Sequence, residues 1–471
     1  MNIRRITAVW AAKLVSKACR ILGYQGVTLA GRAAFMIDRG ILSEFSHQIR
    51  KEVIVVCGTN GKTTTNNLIC TALEQAGKRV VCNHTGSNMF QGVVAAFVLA
   101  AGMNGKLNAD YACIEVDEAS AVHIFPEIHP DYMVLTNLFR DQLDRYGEID
   151  ITMNLLKKAA GLERDMLMII NGDDPLAAYL AQNSGRDYCA YGISEKVFTE
   201  KNEEEVKEGS FCKCCGARLK YEFYHYGQLG KYRCGNCGFE RPGIEYEACD
   251  ITMENGIEFE ITAKSVNDRI IRKNHVDDGC LRKTLYPVKI QTGYKGFYNI
   301  YNILAAHSVL DLLGIPSDHL IHVLKNYKTQ NGRMERFTID ETEIILNLAK
   351  NPIGFNQNIA AVLADSREKN MIIVINDHAA DGVDVSWLWD VDFEKLKDSS
   401  VQFIVTGGKR CLDMRLRLKY AGIDADAEDD TREAIKKCMQ SGCRVIYILV
   451  NYTALFRVRK TLIEMNRKRK R

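Results

Sequence analysis

Short apolar runs recur along the chain, each closed by a polar or glycine-rich turn. Val53-Ile-Val-Val56 is the first, and four β-branched residues in a row read as a strand buried on both faces. Residues 79–82, 111–116, 132–135 and 166–170 repeat the pattern, and helical spacing over 63–76 and 92–101 fills two of the gaps. Strands alternating with helices predict a doubly wound α/β sheet, in which ligands gather at the carboxyl ends of the strands. From 245 to 290 the period changes to two, with strands expected over 256–262 and 284–290 to close this domain. An apolar helix is expected from 296 through Leu313. A second α/β unit follows Arg333, with strands over 342–347, 371–375, 402–406 and 444–450. The organisation read from the pattern is a short helical segment (1–48), a central domain (49–330) and a C-terminal Rossmann-like α/β domain (331–471).

The turn after the first strand changes the picture from architecture to chemistry. It reads Gly58-Thr59-Asn60-Gly61-Lys62-Thr63-Thr64, a glycine-rich loop between a strand and a helix. Backbone N–H groups in such a loop, with the helix N-terminus, cradle phosphate. Gly58 to Thr64 are therefore the candidate ATP-binding set, with Lys62 reaching the β/γ-phosphates and the Thr63 hydroxyl on Mg²⁺. The general pattern wants a glycine where Val56 stands, so this is a shorter G-T-x-G-K-T form. Glu115, Asn137 and Asp141 fall at strand ends, where a nucleotide–metal site belongs. The plainer alternatives are an unliganded turn, and for Glu115 a buried ion-pair member.

At 471 residues the chain is expected to hold two or three domains. A net charge of +3 and the lack of a basic stripe give no support to nucleic-acid binding. No apolar run reaches the length of a membrane span and no signal peptide is evident, so a cytoplasmic protein is expected. The stretch 1–22 carries Arg4, Arg5, Lys13, Lys17 and Arg20 among apolar residues. It reads as an amphipathic helix packed on the next domain, with a membrane-surface contact at the inner face as the alternative. The basic tail Arg467-Lys-Arg-Lys-Arg471 reads as a solvated end able to touch anionic headgroups.

Sixteen cysteines without a secretory signal argue for reduced thiols, and Cys57, Cys70, Cys82 and Cys113 read as small buried hydrophobes. One cluster differs. Cys212-Lys-Cys214-Cys215-Gly216 and Cys234-Gly-Asn-Cys237-Gly238 are two C-x-x-C-G knuckles with the spacing of a zinc ribbon, inserted at about 208–242. Cys212, Cys215, Cys234 and Cys237 would hold a structural Zn²⁺, with Cys214 spare. Tyr221, Phe223, Tyr224, Tyr226 and Tyr232 lie between the knuckles, where a small ribbon needs aromatics for its own core.

The phosphate loop, Glu115, Thr136-Asn-Leu followed by Asp141-Gln-Leu-Asp144, Asn299-Ile-Tyr-Asn302 and Gly332-Arg333 occur in the order found in Mur ligases, and the chain resembles that family. The resemblance implies amide-bond formation through an acyl phosphate made with ATP. By motif, Glu115 is similar to the family's magnesium-binding glutamate, Asn299 and Asn302 to its adenine-side asparagines, and Arg333 to the arginine that reaches the phosphates. Lys157 lies near the position of a carbamylated lysine in many members. Two departures stand out. Gln142 replaces a histidine metal ligand, and Asn347-Leu-Ala-Lys350-Asn351-Pro352 has asparagine where aspartate is usual.

The segment Asn376-Asp377-His-Ala-Ala-Asp381-Gly382-Val-Asp384-Val-Ser386-Trp387-Leu-Trp389-Asp390 is similar to the branch that supplies the ligase subunit of lipid II isoglutaminyl synthases. About fifty residues precede the phosphate loop, too few for the UDP-binding domain of ordinary Mur ligases. That branch implies amidation of the α-carboxylate of D-glutamate in the lipid II stem peptide, with ammonia from a GatD-type glutaminase partner. It also implies an aspartate that completes the partner's Cys–His pair. Asp377, Asp381 and Asp384 are the candidates, Asp377 foremost because it follows a strand directly. The rival readings are a folylpolyglutamate-like ligase with another acceptor and, from a different class, a zinc-ribbon ATPase that binds nucleic acid.

Overall fold

The computed structural model describes residues 3–22, 26–84, 86–140, 148–197, 208–254, 256–264, 286–294, 296–326, 334–378 and 381–467. The chain divides into two compact units, one of Met1–Phe139, Ile149–Gly293 and Phe297–Asn326, the other of Arg140–Glu148, Tyr294–Gly296 and Tyr327–Arg471.

The first unit opens with three helices, α1 (Ile3–Ile21), α2 (Val27–Ile37) and α3 (Ile41–Ser46). An alternating series follows: β1 (Val53–Cys57), α4 (Lys62–Gln75), β2 (Val80–Cys82), α5 (Phe90–Ala100), β3 (Tyr111–Glu115), α6 (Ala121–Ile128) and β4 (Tyr132–Leu135). It continues through α7 (Ile149–Leu162), β5 (Leu167–Asn171), α8 (Pro175–Gln182) and β6 (Tyr188–Ile193). A hairpin of β7 (Leu219–Tyr226) and β8 (Leu229–Cys234) then interrupts the series before β9 (Tyr246–Thr252), β10 (Ile257–Ala263), β11 (Val288–Thr292), α9 (Tyr298–Leu312) and α10 (Ser317–Asn326). Nine strands make one sheet in the order β11-β10-β9-β6-β5-β4-β1-β3-β2. It is parallel from β2 to β9, and β10 and β11 add antiparallel at one edge.

Every residue of β1, β3, β4 and β5 is buried, as runs of aliphatic residues in a sheet covered on both faces must be. The chain order reverses at β1, which pairs with β3 on one side and β4 on the other, Val56 lying opposite both Glu115 and Val134. Their carboxyl ends converge there, at the switch point of the sheet. The N-terminal helices join this core through Ala8, Val9 and Ala12 of α1 and Ala30 and Ala34 of α2. Trp10 Nε1 donates to Met103 O at 3.1 Å and Lys13 Nζ to Ala101 O at 2.6 Å, which fastens α1 beside α5. No described helix is long and apolar enough to cross a membrane.

The second unit holds β12 (Glu335–Ile339), β13 (Thr342–Leu348), α11 (Pro352–Leu363), β14 (Lys369–Val374), β15 (Val401–Gly407), α12 (Cys411–Tyr420), β16 (Asp426–Ala427), α13 (Thr431–Gln440), β17 (Val445–Val450) and α14 (Tyr452–Arg467). Its sheet runs β12-β13-β17-β14-β15-β16, parallel except for the β12–β13 hairpin. Strands β6 and β12 were not among those the pattern predicts. The expected strand at 284–290 lies later, at β11, with 284 and 285 outside the described residues.

Candidate functional site

The loop that follows β1 is strapped down by the residues that follow β4. Asn137 grips Asn60 at both ends, its Oδ1 accepting from the Asn60 N–H at 2.9 Å and its Nδ2 donating to Asn60 O at 3.0 Å. Thr136 Oγ1 donates to Asn60 O at 2.7 Å, and the Thr59 N–H donates to Asn137 O at 2.8 Å. Thr59 Oγ1 donates to Phe139 O and accepts from the Phe139 N–H, at 3.0 and 2.9 Å. The backbone is thus held before any ligand arrives, as phosphate recognition by N–H groups requires. From the other side comes α9. Gly61 has φ 88°, and a Cβ there would stand 2.1 Å from Asn302 Oδ1, so glycine is required by conformation and by space. Asn302 Nδ2 donates to Asn299 Oδ1 at 3.1 Å. The two asparagines expected at the adenine therefore form a bonded pair against the phosphate loop.

Lys62 is turned back on its own loop. Its Nζ donates to Gly58 O at 2.5 Å and to Glu118 Oε1 at 2.8 Å, and that carboxylate oxygen also accepts the Gly58 N–H at 3.0 Å. Burial alone would lower the Lys62 pKa, but the carboxylates of Glu118, Glu115 and Asp117 outweigh it and hold the ammonium firmly charged. Glu118 was missed from sequence. A second acid three residues beyond Glu115 at a strand end was the available signal.

Glu115 is 3% exposed. Asn83 clamps its backbone, accepting from Glu115 N–H and donating to Glu115 O, both at 2.8 Å. Asn88 Nδ2 donates to Glu115 Oε1 at 2.9 Å, while Oε2 is buried without a hydrogen-bond partner. Glu115 Oε2 and Thr63 Oγ1 each lie 3.5 Å from the point where a Cβ on Gly86 would stand. An unpartnered carboxylate oxygen and an alcohol oxygen facing one gap suit a hard, oxygen-seeking cation such as Mg²⁺.

The hairpin insertion brings the Sγ atoms of Cys212, Cys215, Cys234 and Cys237 within 4.8 Å of one another, with 3.5 Å across both the 212–237 and 215–234 pairs. Four thiols at that spacing fit a tetrahedral Zn²⁺. Its aromatics are used for packing. Tyr221 stacks on Tyr224 at 4.2 Å, Tyr226 lies 6.1 Å from Phe139, and Tyr232 is buried in the core of the first unit. Gln228 reaches into the strap, its Nε2 donating to Leu138 O at 2.6 Å and to Asp174 Oδ1 at 2.8 Å. Asp174 Oδ2 in turn accepts from the Leu138 N–H at 2.6 Å. Arg241 pairs with buried Asp173 at 2.5 Å, and Tyr301 OH donates to the same carboxylate at 2.8 Å. Gln228 and Asp174 carried no motif that sequence reasoning could have used.

Other expected positions fall differently. Arg333, Asp141, Gln142 and Asp144 lie outside the described residues. Lys157 is on the exposed side of α7, whose Thr152, Met153, Leu156, Ala159 and Ala160 are buried. In the second unit Asn347 is buried. It accepts from Met334 N–H at 3.0 Å and donates to Asn358 Oδ1 at 2.6 Å, two roles that the amide fills together and an ionised carboxylate does not. Asp377 is paired with Lys409 at 2.7 Å and Arg410 at 2.8 Å, and these two cations, Lys409 first, lower its pKa. Asp381 caps α14, accepting from the Thr453 N–H at 2.7 Å and from its hydroxyl. Asp384 is half-buried and closes a turn onto Ser386, accepting from its N–H and its hydroxyl, both at 2.8 Å.

Comparison with known proteins adds names to this geometry. Residues 56–237 match the Mur ligase middle domain and residues 348–455 the MurT ligase C-terminal domain. The MurT subunit of glutamine-hydrolysing lipid II isoglutaminyl synthase from Staphylococcus aureus (strain COL) is 34% identical over 455 residues, covering 96% of each chain. The subunit of the same name from Streptococcus pneumoniae (strain ATCC BAA-255 / R6) is 32% identical over 469 residues, covering 98% of each. Among solved structures, a pseudomurein peptide ligase type C from Methanothermus fervidus shares the fold. Its TM-score is 0.67 at 22% identity, over 88% of this chain and 79% of that one.

Proposed function

The chain belongs to the MurT family of Mur-type ligases, and from that premise we propose that it performs the ATP-dependent amidation catalysed by lipid II isoglutaminyl synthase in peptidoglycan synthesis. The observation that carries the reading is one loop. There a buried, charged Lys62 and an unpartnered Glu115 oxygen beside Thr63 stand at the switch point of a parallel sheet. An α-carboxylate oxygen of D-glutamate in the lipid II stem peptide would attack the γ-phosphorus of ATP, releasing ADP and leaving an acyl phosphate. Ammonia then adds at the acyl carbon, the bond to phosphate oxygen breaks, and loss of a proton gives D-isoglutamine. Thr63 and Glu115 would hold Mg²⁺, which supplies charge neutralisation on the phosphoryl oxygens. Lys62 exchanges Gly58 O and Glu118 for the β/γ-phosphates, and Asn299 and Asn302 contribute to the nucleotide contacts. Cys212, Cys215, Cys234 and Cys237 hold a structural Zn²⁺.

Ammonia comes from a GatD-type glutaminase. Of the three aspartates, accessibility favours Asp384 as the one that meets the partner's histidine, because Asp377 is neutralised by two cations and Asp381 is spent on a helix cap. Exposed Ile3, Leu14, Ile21 and Leu22 of the N-terminal segment, beside exposed Arg4, Lys17 and Arg20, suit contact with an anionic membrane face bearing the lipid-linked substrate. The test is co-expression with a GatD-type glutaminase and mass spectrometry of lipid II after addition of glutamine and ATP. A loss of about one mass unit, absent in Lys62→Ala, is expected. ATP turnover in the complex without that change would overturn the reading.

A further inference from the structure

A second cluster of soft ligands stands beside the phosphate-loop helix, away from the ribbon. Cys70 is buried on α4, Cys82 ends β2 half-buried, and His84 follows it at the surface. Cys70 Sγ is 3.7 Å from His84 Nε2, Cys82 Sγ is 3.5 Å from His84 Nδ1, and the three ligand atoms lie within 4.8 Å of one another. Zinc–sulfur bonds near 2.3 Å and zinc–nitrogen bonds near 2.0 Å give tetrahedral edges of roughly 3.5–3.8 Å. The Cys70 Sγ–His84 Nε2 distance already meets this, while Cys82, beside the other ring nitrogen, turns toward Nε2 to share the ion.

The surroundings hold the ligands in place. Asn67 Nδ2 donates to His84 O at 3.4 Å and Asn67 Oδ1 lies 3.3 Å from His84 Nδ1, which fastens the histidine to α4 from backbone and ring. A proton on Nδ1 shared with Asn67 leaves the Nε2 lone pair facing Cys70, the arrangement by which outer partners orient metal-binding histidines. Asn66 Nδ2 donates to Cys82 Sγ at 3.3 Å, which fixes that sulfur beside α4.

We propose that Cys70, Cys82 and His84 form a second zinc site, with two thiolates, one imidazole and a fourth position open to solvent. Binding displaces the two thiol protons, and no redox partner is needed. Its place gives it a consequence. Asn83 sits between two of the ligands and clamps the Glu115 backbone, donating also to Ser87 O at 3.0 Å. An ion here fixes the root of the segment that covers Thr63 and Glu115. The site stands independently of which carboxylate the enzyme amidates.

The full-length chain, equilibrated with micromolar zinc and freed of excess, is counted for metal by inductively coupled plasma mass spectrometry beside Cys82→Ser/His84→Ala. Both substituted residues lie at or near the surface, and the ribbon is common to both proteins, so the difference isolates this site. The wild type is expected to retain about one more equivalent than the variant. Cobalt(II) is expected to give a stronger thiolate charge-transfer band in the wild type than in the variant, whose ribbon thiolates account for the remainder. Equal zinc in the two proteins, or a Cys70–Cys82 disulfide in peptide maps of the freshly isolated chain, would overturn the proposal.

Discussion

Lys62 Nζ lies 2.8 Å from Glu118 Oε1, with both side chains almost wholly buried, and the same oxygen accepts the Gly58 N–H. The lysine is thus held charged inside the loop it serves. Lys62→Ala takes the cation from a buried carboxylate and is expected to cost about 3–5 kcal/mol as well as activity. Lys62→Met with Glu118→Gln is expected to recover most of the stability and none of the ATP turnover. Urea midpoints and phosphate release, measured on both variants, separate the two roles.

Gln228 ties the cysteine ribbon to the strap that holds Thr59 and Asn60. Gln228→Ala is expected to lower stability by about 2 kcal/mol, two hydrogen bonds at about 1 kcal/mol each. It is also expected to raise the KM for ATP several-fold with a smaller change in kcat. Metal removal by a strong chelator is expected to act in the same direction on both. Thermal melts with and without chelator, and ATP saturation curves, check this.

Asn347→Asp is a test of a departure from the usual family pattern. The amide donates to Asn358 Oδ1 and accepts from Met334 N–H, so a carboxylate would set two acceptors face to face. A loss of about 1–3 kcal/mol is expected at neutral pH, read from denaturant midpoints.

His307 supplies a pH dependence. It is buried in α9 beside Tyr286, whose OH lies 3.0 Å from its Nε2, and burial, against the pull of Asp311, pushes its pKa down from 6.5 to about 4. The stability this gives is fully present above pH 6.5. As the pH falls toward 4 the unfolded chain takes up a proton that the folded chain refuses, and about 3 kcal/mol is lost. His225 titrates in the same direction, so the comparison is with a single variant. The stability gap between wild type and His307→Gln is expected to narrow by that amount between pH 7 and pH 4.

The phosphate loop and its sheet were legible because β-branched runs and glycine spacing are local signals. β1, β3 and β4 are four or five residues long, buried throughout, and bounded by unmistakable turns. β6 was not legible. Tyr188-Cys-Ala-Tyr-Gly-Ile193 mixes small and aromatic residues, and only its place between β5 and β9 makes it a strand. At the site the lysine, the threonine and Glu115 follow from motif. Asn302 against Gly61 and Gln228 on Leu138 join residues far apart in the chain, and such pairings exist only once the sheet has formed. The three aspartates illustrate the same limit. Their residue type is shared, and their neighbours, two cations, a helix end and a turn, set them apart.

The ribbon lies in the crossover between β6 and β9, which are neighbours in the sheet. A free crossover of about fifty residues must lose chain entropy that grows as the logarithm of its length before β9 can dock. With zinc on its thiolates, Cys212 and Cys237 at 3.5 Å clip that length into two short tethers. Metal supply would then set the order of assembly. A nascent chain short of zinc is expected to complete β1 to β6, expose the unpaired edge of β6, and become a substrate for aggregation and proteolysis before β9, β10 and β11 arrive.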